Sequence, residues 1–463
     1  MNDKFLKDIK GKGAIVMLEE LFECLELMKL TPQSVYQQMM KLKNDKVNET
    51  VQVLDNVILS KNKDLSVASS IYNFVASDYI SGGAEYCASI KCRLYKASEL
   101  INFTSLYADV VLIKNPFEKY LKYNNYNETL RSYIADDILI IWYFQPLIQK
   151  GILRFAQTEH HFCKECFKKL SSNKYYSYEK KTESAYKFLI TEYLDNISVY
   201  FENDARYGFI EIVGPEDLIE HGRTYIHFTH YTPKELESFK NIKGKHKIDR
   251  EILESSGLIH SLPDVIIKDF AIQDWYTKNF DFSYLTNRGI DIKLINQTND
   301  NNTNLKNKKI YNCITHSLPV VNNANLGDIL KIRDNDYESF ILYRNNMKRL
   351  IRELPDNPQQ IKEAFSDMVQ PEIDRINISL SESKKSIFKS IAKNVVITSG
   401  IVSIGLTTGI LPNDINQIVG TAGLCGLAQA AITNIGDALI KPNTLRENPY
   451  YFLWKVNSKA KLK

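Results

Sequence analysis

The sequence predicts a chain of the α+β or α/β class: a helical N-terminal region, a mixed-sheet body and a helical C-terminal region ending in an apolar helical hairpin. Three observations carry this. Between residues 106 and 310, short β-branched apolar runs alternate with stretches of three- and four-residue apolar spacing. Helical spacing alone fills most of 1–105 and 325–391. Two uncharged stretches, 395–411 and 415–435, then flank Pro412-Asn413-Asp414 within a segment bounded at 392–440. The composition is that of a folded protein: 463 residues, 44% hydrophobic, 25% charged and 11% aromatic. A disordered chain, a collagen-like chain and a small disulfide scaffold are excluded. Lys plus Arg is 59 and Asp plus Glu is 55, a net charge of +4, so there is no strong nucleic-acid signal.

The elements follow in chain order. Ile15, Leu18, Phe22 and Leu25 recur at helical spacing. Thr31-Pro32 starts a second helix, with Thr31 as N-cap and Pro32 at the first helical position. Helices are predicted over 65–79 and 84–100, separated by Ser81-Gly82-Gly83. The apolar run from Ala108 to Lys114 predicts a buried strand, ended by Asn115-Pro116. A helix over 128–144 meets Pro146, and residues 152–155 form the next strand, so strand, helix and strand make a βαβ unit.

A helix is predicted over 182–196. Strands over 197–201 and 207–213 suit a hairpin with a longer loop, followed by a strand over 224–230. Helices over 247–259 and 264–280 precede a strand over 290–295 and an Asn-rich loop over 297–309. Past Asn325, apolar Ile329, Ile332, Phe340, Tyr343 and Met347 give an amphipathic helical pattern, and the spacing approaches heptad toward Ile391. Residues 441–463 are a basic, aromatic tail.

The C-terminal apolar stretches have the length of a membrane hairpin. Each of the two, 17 and 21 residues long, suffices to cross a hydrocarbon core about 30 Å thick. Lysines precede and follow the pair while the turn carries only Asp414, which places both ends on the cytoplasmic side. Gly400, Gly405 and Gly409 in one stretch, with Gly420, Gly423 and Gly426 in the other, permit close helix approach. Tyr450, Tyr451, Phe452 and Trp454 are expected as an interfacial anchor. The alternative is a hairpin buried in a soluble bundle. The mixed charges at Met1–Lys10 predict no secretory leader.

Zinc is the cofactor the side chains suggest. His160-His161-Phe162-Cys163-Lys164-Glu165-Cys166 places two thiolates on one tight turn, one half of a structural zinc site. Cys87 and Cys92 form a possible second pair, and His221, His227 and His230 are further candidates. The seven cysteines show no disulfide framework and suit a reducing compartment.

Many chemistries are absent. There is no G-x-x-x-x-G-K-[ST], no G-x-G-x-x-G after a strand, no H-E-x-x-H and no G-x-S-x-G. Asp136-Asp137 are expected on the outer turn of an amphipathic helix. Asp109 in a buried strand and Tyr284-Leu285-Thr286-Asn287-Arg288 after a helix are faintly similar to the PIN-type metal-dependent RNases, with Asn287 where those enzymes usually carry an acidic residue. The resemblance implies metal-dependent RNA cleavage by Asp109 with Asp136 or Asp137.

A soluble body, an apolar hairpin and no catalytic signature together suit a membrane-associated sensor–effector of a stress- or phage-defence kind. It would be anchored to the inner face of the cytoplasmic membrane, with a protein partner or self-association. The alternatives are the PIN-like nuclease and a soluble interaction protein whose hairpin is core.

Overall fold

The computed structural model describes residues 32–61, 72–84, 87–156, 175–204, 207–216, 218–228, 243–280, 282–286, 288–298, 319–320, 326–353, 367–369, 371–372, 375–376, 400–401 and 446–461. Within them the fold is mixed α+β, with one parallel and one antiparallel four-stranded sheet.

The parallel sheet is built from β1 (Asn73–Ala76), β2 (Val110–Lys114), β3 (Leu153–Ala156) and β8 (Ser283–Leu285), in the order β3-β2-β1-β8. Val110, Val111, Leu112 and Ile113 are all buried. Continuous apolar runs of this kind are what a parallel sheet covered on both faces requires. The βαβ expectation holds: β2 and β3 are parallel neighbours joined through helix α4 (Glu128–Gln149). Asn127 caps α4 by accepting from the Leu130 amide at 2.9 Å. Pro146 lies inside the last turn of α4 rather than ending it.

Helices α1 (Pro32–Lys41) and α2 (Asn44–Lys61) stand where the N-terminal pattern placed helix, and Pro32 opens the first. Arg131 of α4 pins the end of α1 by donating to the carbonyls of Met39 at 2.8 Å and Leu42 at 2.6 Å. A cation there also meets the negative end of the helix dipole. One correction concerns 65–79, expected as helix: it contains β1, whose four residues are too short to break the helical spacing around them. Helix α3 (Ile90–Tyr107) follows and crosses to β2.

The antiparallel sheet has the order β6-β5-β4-β7, from β4 (Ser198–Asp204), β5 (Tyr207–Val213), β6 (Arg223–Phe228) and β7 (Gly244–Lys247). Asp204 pairs with Tyr207, so the hairpin loop has two residues, shorter than expected. Helix α5 (Tyr175–Asn196) precedes this sheet; α6 (Arg250–Ser255), α7 (Leu258–Ser261), α8 (Asp264–Phe280) and, after β8, α9 (Gly289–Thr298) follow it. The strand expected over 290–295 is α9. Ile290 and Leu294, four apart, are buried apolar residues of this helix, so the helical period wins over the apparent alternation.

Helices α10 (Leu326–Asn335), α11 (Tyr337–Glu353) and α12 (Tyr451–Lys461) close the described chain. Phe340, Tyr343 and Met347 are buried as the amphipathic pattern predicts. The aromatic tail is corrected from an interfacial anchor to core. Tyr450, Tyr451 and Phe452 are buried, and the Phe452 ring lies 4.9 Å from Phe340 and 5.6 Å from Tyr343. Packing against α11 offers these rings more apolar contact than a membrane interface.

Most of the apolar segment, including Gly405, Gly409, Gly420, Gly423 and Gly426, lies outside the described residues. At Gly400 the helical expectation is corrected: β10 (Gly400–Ile401) pairs antiparallel with β9 (Pro319–Val320). The surrounding Val395, Val396, Ile397 and Val402 are β-branched and favour extended backbone. No helix among the described residues is long and apolar enough to cross a membrane.

Candidate functional site

In an open parallel sheet, ligands bind outside the carboxyl ends of the strands, beside the point where the strand order reverses. Here the chain steps from β1 to β2 to β3 in one direction and then places β8 on the other side of β1. The reversal therefore lies between β1 and β8, and the segments that leave those strands form the crest.

The two strand ends are locked together. Ser77 donates to Thr286 Oγ1 at 3.2 Å, and the Asp78 amide lies 2.8 and 2.9 Å from the two carboxylate oxygens of Asp269. Thr286 donates to Asp291 at 2.5 Å, and Arg288 pairs with Asp291 at 2.6 Å. Burial and the neighbouring Asp291 charge push the Asp269 carboxyl up to about 7. The Ser81-Gly82-Gly83 turn needs its glycine: Gly82 has φ +80°, and a Cβ there would lie 2.9 Å from the Arg93 carbonyl oxygen.

Tyr79 forms the floor beside the reversal. Lys96 from α3 lies 3.8 Å above its ring, and Arg288 stacks at 5.3 Å. Lys96 is buried and pairs with Glu220 at 2.5 Å. Burial lowers its pKa. Glu220 begins the tight turn Glu220–Gly222 that leads into β6. That turn holds His221 at φ +63° and ψ 16°, a left-handed conformation that a non-glycine residue adopts at a cost.

His221 meets two cysteines there. Cys87 precedes α3 and Cys92 lies in its first turn, while Ser89, at the N-cap, makes no side-chain capping bond. The ligand atoms of Cys87, Cys92 and His221 all lie within 4.8 Å of one another. Cys92 Sγ is 3.6 Å from His221 Nε2. A tetrahedral zinc with bonds of roughly 2.3 Å to sulfur and 2.05 Å to nitrogen sets those two atoms about 3.6 Å apart. The three side chains could therefore hold a metal ion. The Cys92 thiol, hydrogen-bonded to Cys87, draws the Cys87 thiol down to about 5, helped by the Ser89 backbone, His221 and Lys96 against the opposing effect of burial. The same bond, with burial, raises Cys92.

The sequence proposed Cys87 and Cys92 as a pair and His221 as a candidate, and these three meet. Cys163, Cys166, His160, His161 and His230 lie outside the described residues. His227 belongs to β6, six positions beyond the His221 turn. Spacing did not reveal Lys96 and Glu220. The signal available was a lysine and an arginine, Arg93, three apart on one buried helix face.

Asp136 and Asp137 are corrected from solvated to buried, 5% and 1% exposed. Arg93 pairs with Asp137 and lies 3.7 Å from Asp136; Tyr120 donates to Asp137 at 2.7 Å and Tyr36 donates to Asp136. A run of apolar neighbours on both sides of the two carboxylates pulls them inward with their partners. Asp109 stands at the opposite, amino-terminal edge of the sheet, where its amide donates to Tyr72 O at 2.9 Å and Arg344 Nη2 donates to its carboxylate at 2.5 Å. The residues implied by the PIN resemblance are therefore not brought to one site. Comparison with protein-family models, with curated proteins and with solved structures finds no match for this chain.

Proposed function

We propose that this chain is a sensor–effector. Its α/β body binds a small ligand at the crest of the parallel sheet, zinc sits on Cys87, Cys92 and His221, and the apolar segment 395–435 carries the response to the inner face of the cytoplasmic membrane. The observation that carries the reading is the thiol–imidazole set beside the strand-order reversal. Two thiols and an imidazole suit zinc, and three protein ligands leave a fourth position open to water or ligand. The strained backbone of His221 supports a functional role, since such conformations cluster at ligand sites.

The membrane arm is supported by how the chain returns. Asn448 donates to Glu372 at 2.9 Å, so the chain before and after the apolar segment meets at this pair. Ser339 on α11 donates to the Arg446 carbonyl at 3.3 Å and fixes that meeting point to the body. The sequence between is uncharged over 402–411 and 415–435 and flanked by lysines, a pattern that suits entry into a bilayer from one side.

The test is metal analysis and fractionation of the full chain purified without chelator. About one equivalent of zinc is expected, falling sharply in a Cys87→Ser/Cys92→Ser variant whose circular dichroism is unchanged. Less than about a tenth of an equivalent in the wild type removes the zinc reading. Quantitative recovery in the soluble fraction without detergent removes the membrane arm.

A further inference from the structure

A second feature of the crest lies on the other side of β1. Between the carboxyl ends of β1 and β2 is a small cavity open to solvent, walled by Ile113, Ile140 and Ile141. Three cations line it: Arg93, Lys114 and Lys119. Two carboxylates, Asp78 and Asp137, face them. Lys114 lies 3.6 Å from Asp78. Arg93 and Lys119, the latter at 3.3 Å, share Asp137, which also accepts from Tyr120.

The charges do not balance. Asp136, beside Arg93, is pushed up to about 8 by burial and by the Asp137 charge, so at neutral pH it carries a proton. Arg93 and Lys119 then share the Asp137 carboxylate. Arg93 is 1% exposed; its Nε donates to the Gly82 carbonyl at 2.7 Å and its Nη2 to Asp137, while Nη1 lies 3.7 Å from Asp136 Oδ2 and makes no hydrogen bond among the described residues. The Asp136 contact is too long for a hydrogen bond, and a buried guanidinium nitrogen that makes none is costly, so a closer anion would relieve it.

We propose that this cavity binds the phosphoryl group of a small phosphorylated molecule, held by Arg93, Lys114 and Lys119. Two ammonium groups and a fixed guanidinium nitrogen suit a tetrahedral anion with several acceptor oxygens. Lys114 and Lys119, at 25% and 28% side-chain exposure, lie at the rim, where a ligand can reach them. Arg93 is held below, so it is pre-organised for the anion rather than recruited by it. The proposal rests on the reading of the crest as a ligand site and names the class of ligand.

The experiment is isothermal titration of the full chain with inorganic phosphate, adenosine monophosphate, adenosine and succinate, in the wild type and in Lys114→Gln/Lys119→Gln. Phosphate and adenosine monophosphate are expected to bind, adenosine is not, and the double variant loses about tenfold or more. Tighter binding of the monophosphate than of phosphate identifies a phosphorylated metabolite; equal binding identifies free phosphate. No binding of either overturns the proposal, as does succinate binding as tightly as phosphate or an unaltered affinity in the variant. Zinc is measured on the same sample. Phosphate binding without zinc removes the metal reading and leaves this proposal standing, whereas zinc without phosphate binding does the reverse.

Discussion

The Tyr343 hydroxyl donates to the Tyr107 hydroxyl at 2.7 Å across 236 residues of sequence, and both side chains are fully buried. The bond ties α11 to α3, so the C-terminal helices share one apolar core with the parallel sheet. Tyr107→Phe removes the acceptor and leaves the Tyr343 hydroxyl unsatisfied in an apolar setting, at a cost of about 1–3 kcal/mol. Adding Tyr343→Phe removes the stranded donor. Urea denaturation is therefore expected to show the double variant less destabilised than the sum of the two single variants. Strict additivity would contradict the coupling.

Phe452 provides the matching test for the tail. Its ring is fully buried between Phe340 and Tyr343, so Phe452→Ala is expected to cost roughly 3–5 kcal/mol of stability. Membrane partitioning of the folded fraction is expected to stay the same, because the side chain serves the core. A variant of normal stability that detaches from membranes would restore the anchor interpretation.

Much of the fold was legible where one period dominated. The consecutive apolar residues of β2 and the single-faced pattern of α11 could be read directly, and the βαβ unit followed from them. The short strands β1 and β8, of four and three residues, carry too few positions to show a period. Residues 290–295 alternate like a strand, yet it is the four-residue spacing of Ile290 and Leu294 that packs. The crest was legible only in part. Cys87 and Cys92 are near neighbours in sequence, but His221 is 129 residues from Cys92 and joins them only through the turn before β6. The tail was misread because aromatic and basic residues look the same beside a membrane and beside a groove.

His221 combines a liability with a proposed role. Its left-handed backbone is strained, and glycine adopts that conformation freely. His221→Gly is therefore expected to leave the zinc-free protein as stable as the wild type or more so, by up to about 1 kcal/mol. Its zinc content is expected to fall. Thermal unfolding in chelator, alongside metal analysis, separates the two effects. A less stable zinc-free variant would mean that His221 is kept for its packing.

Asp136 predicts how stability varies with pH. Its folded carboxyl is pushed up to about 8 by burial first and by the Asp137 charge second, from an ordinary value of 3.8. Between those two values the folded chain holds a proton that the unfolded chain has released. Stability then falls as pH rises, because the unfolded state binds fewer protons. The decline begins above about pH 4 and levels off once the folded carboxyl ionises above about pH 8. Asp269, pushed up to about 7, acts in the same direction, so the slope is shared. Asp136→Asn stays neutral throughout and keeps an oxygen to accept from Tyr36, so it is expected to fold normally. Urea midpoints at pH 5, 7 and 9 are expected to fall less steeply in the variant than in the wild type. Parallel slopes in the two proteins would show that Asp136 ionises at its ordinary pH in the folded chain.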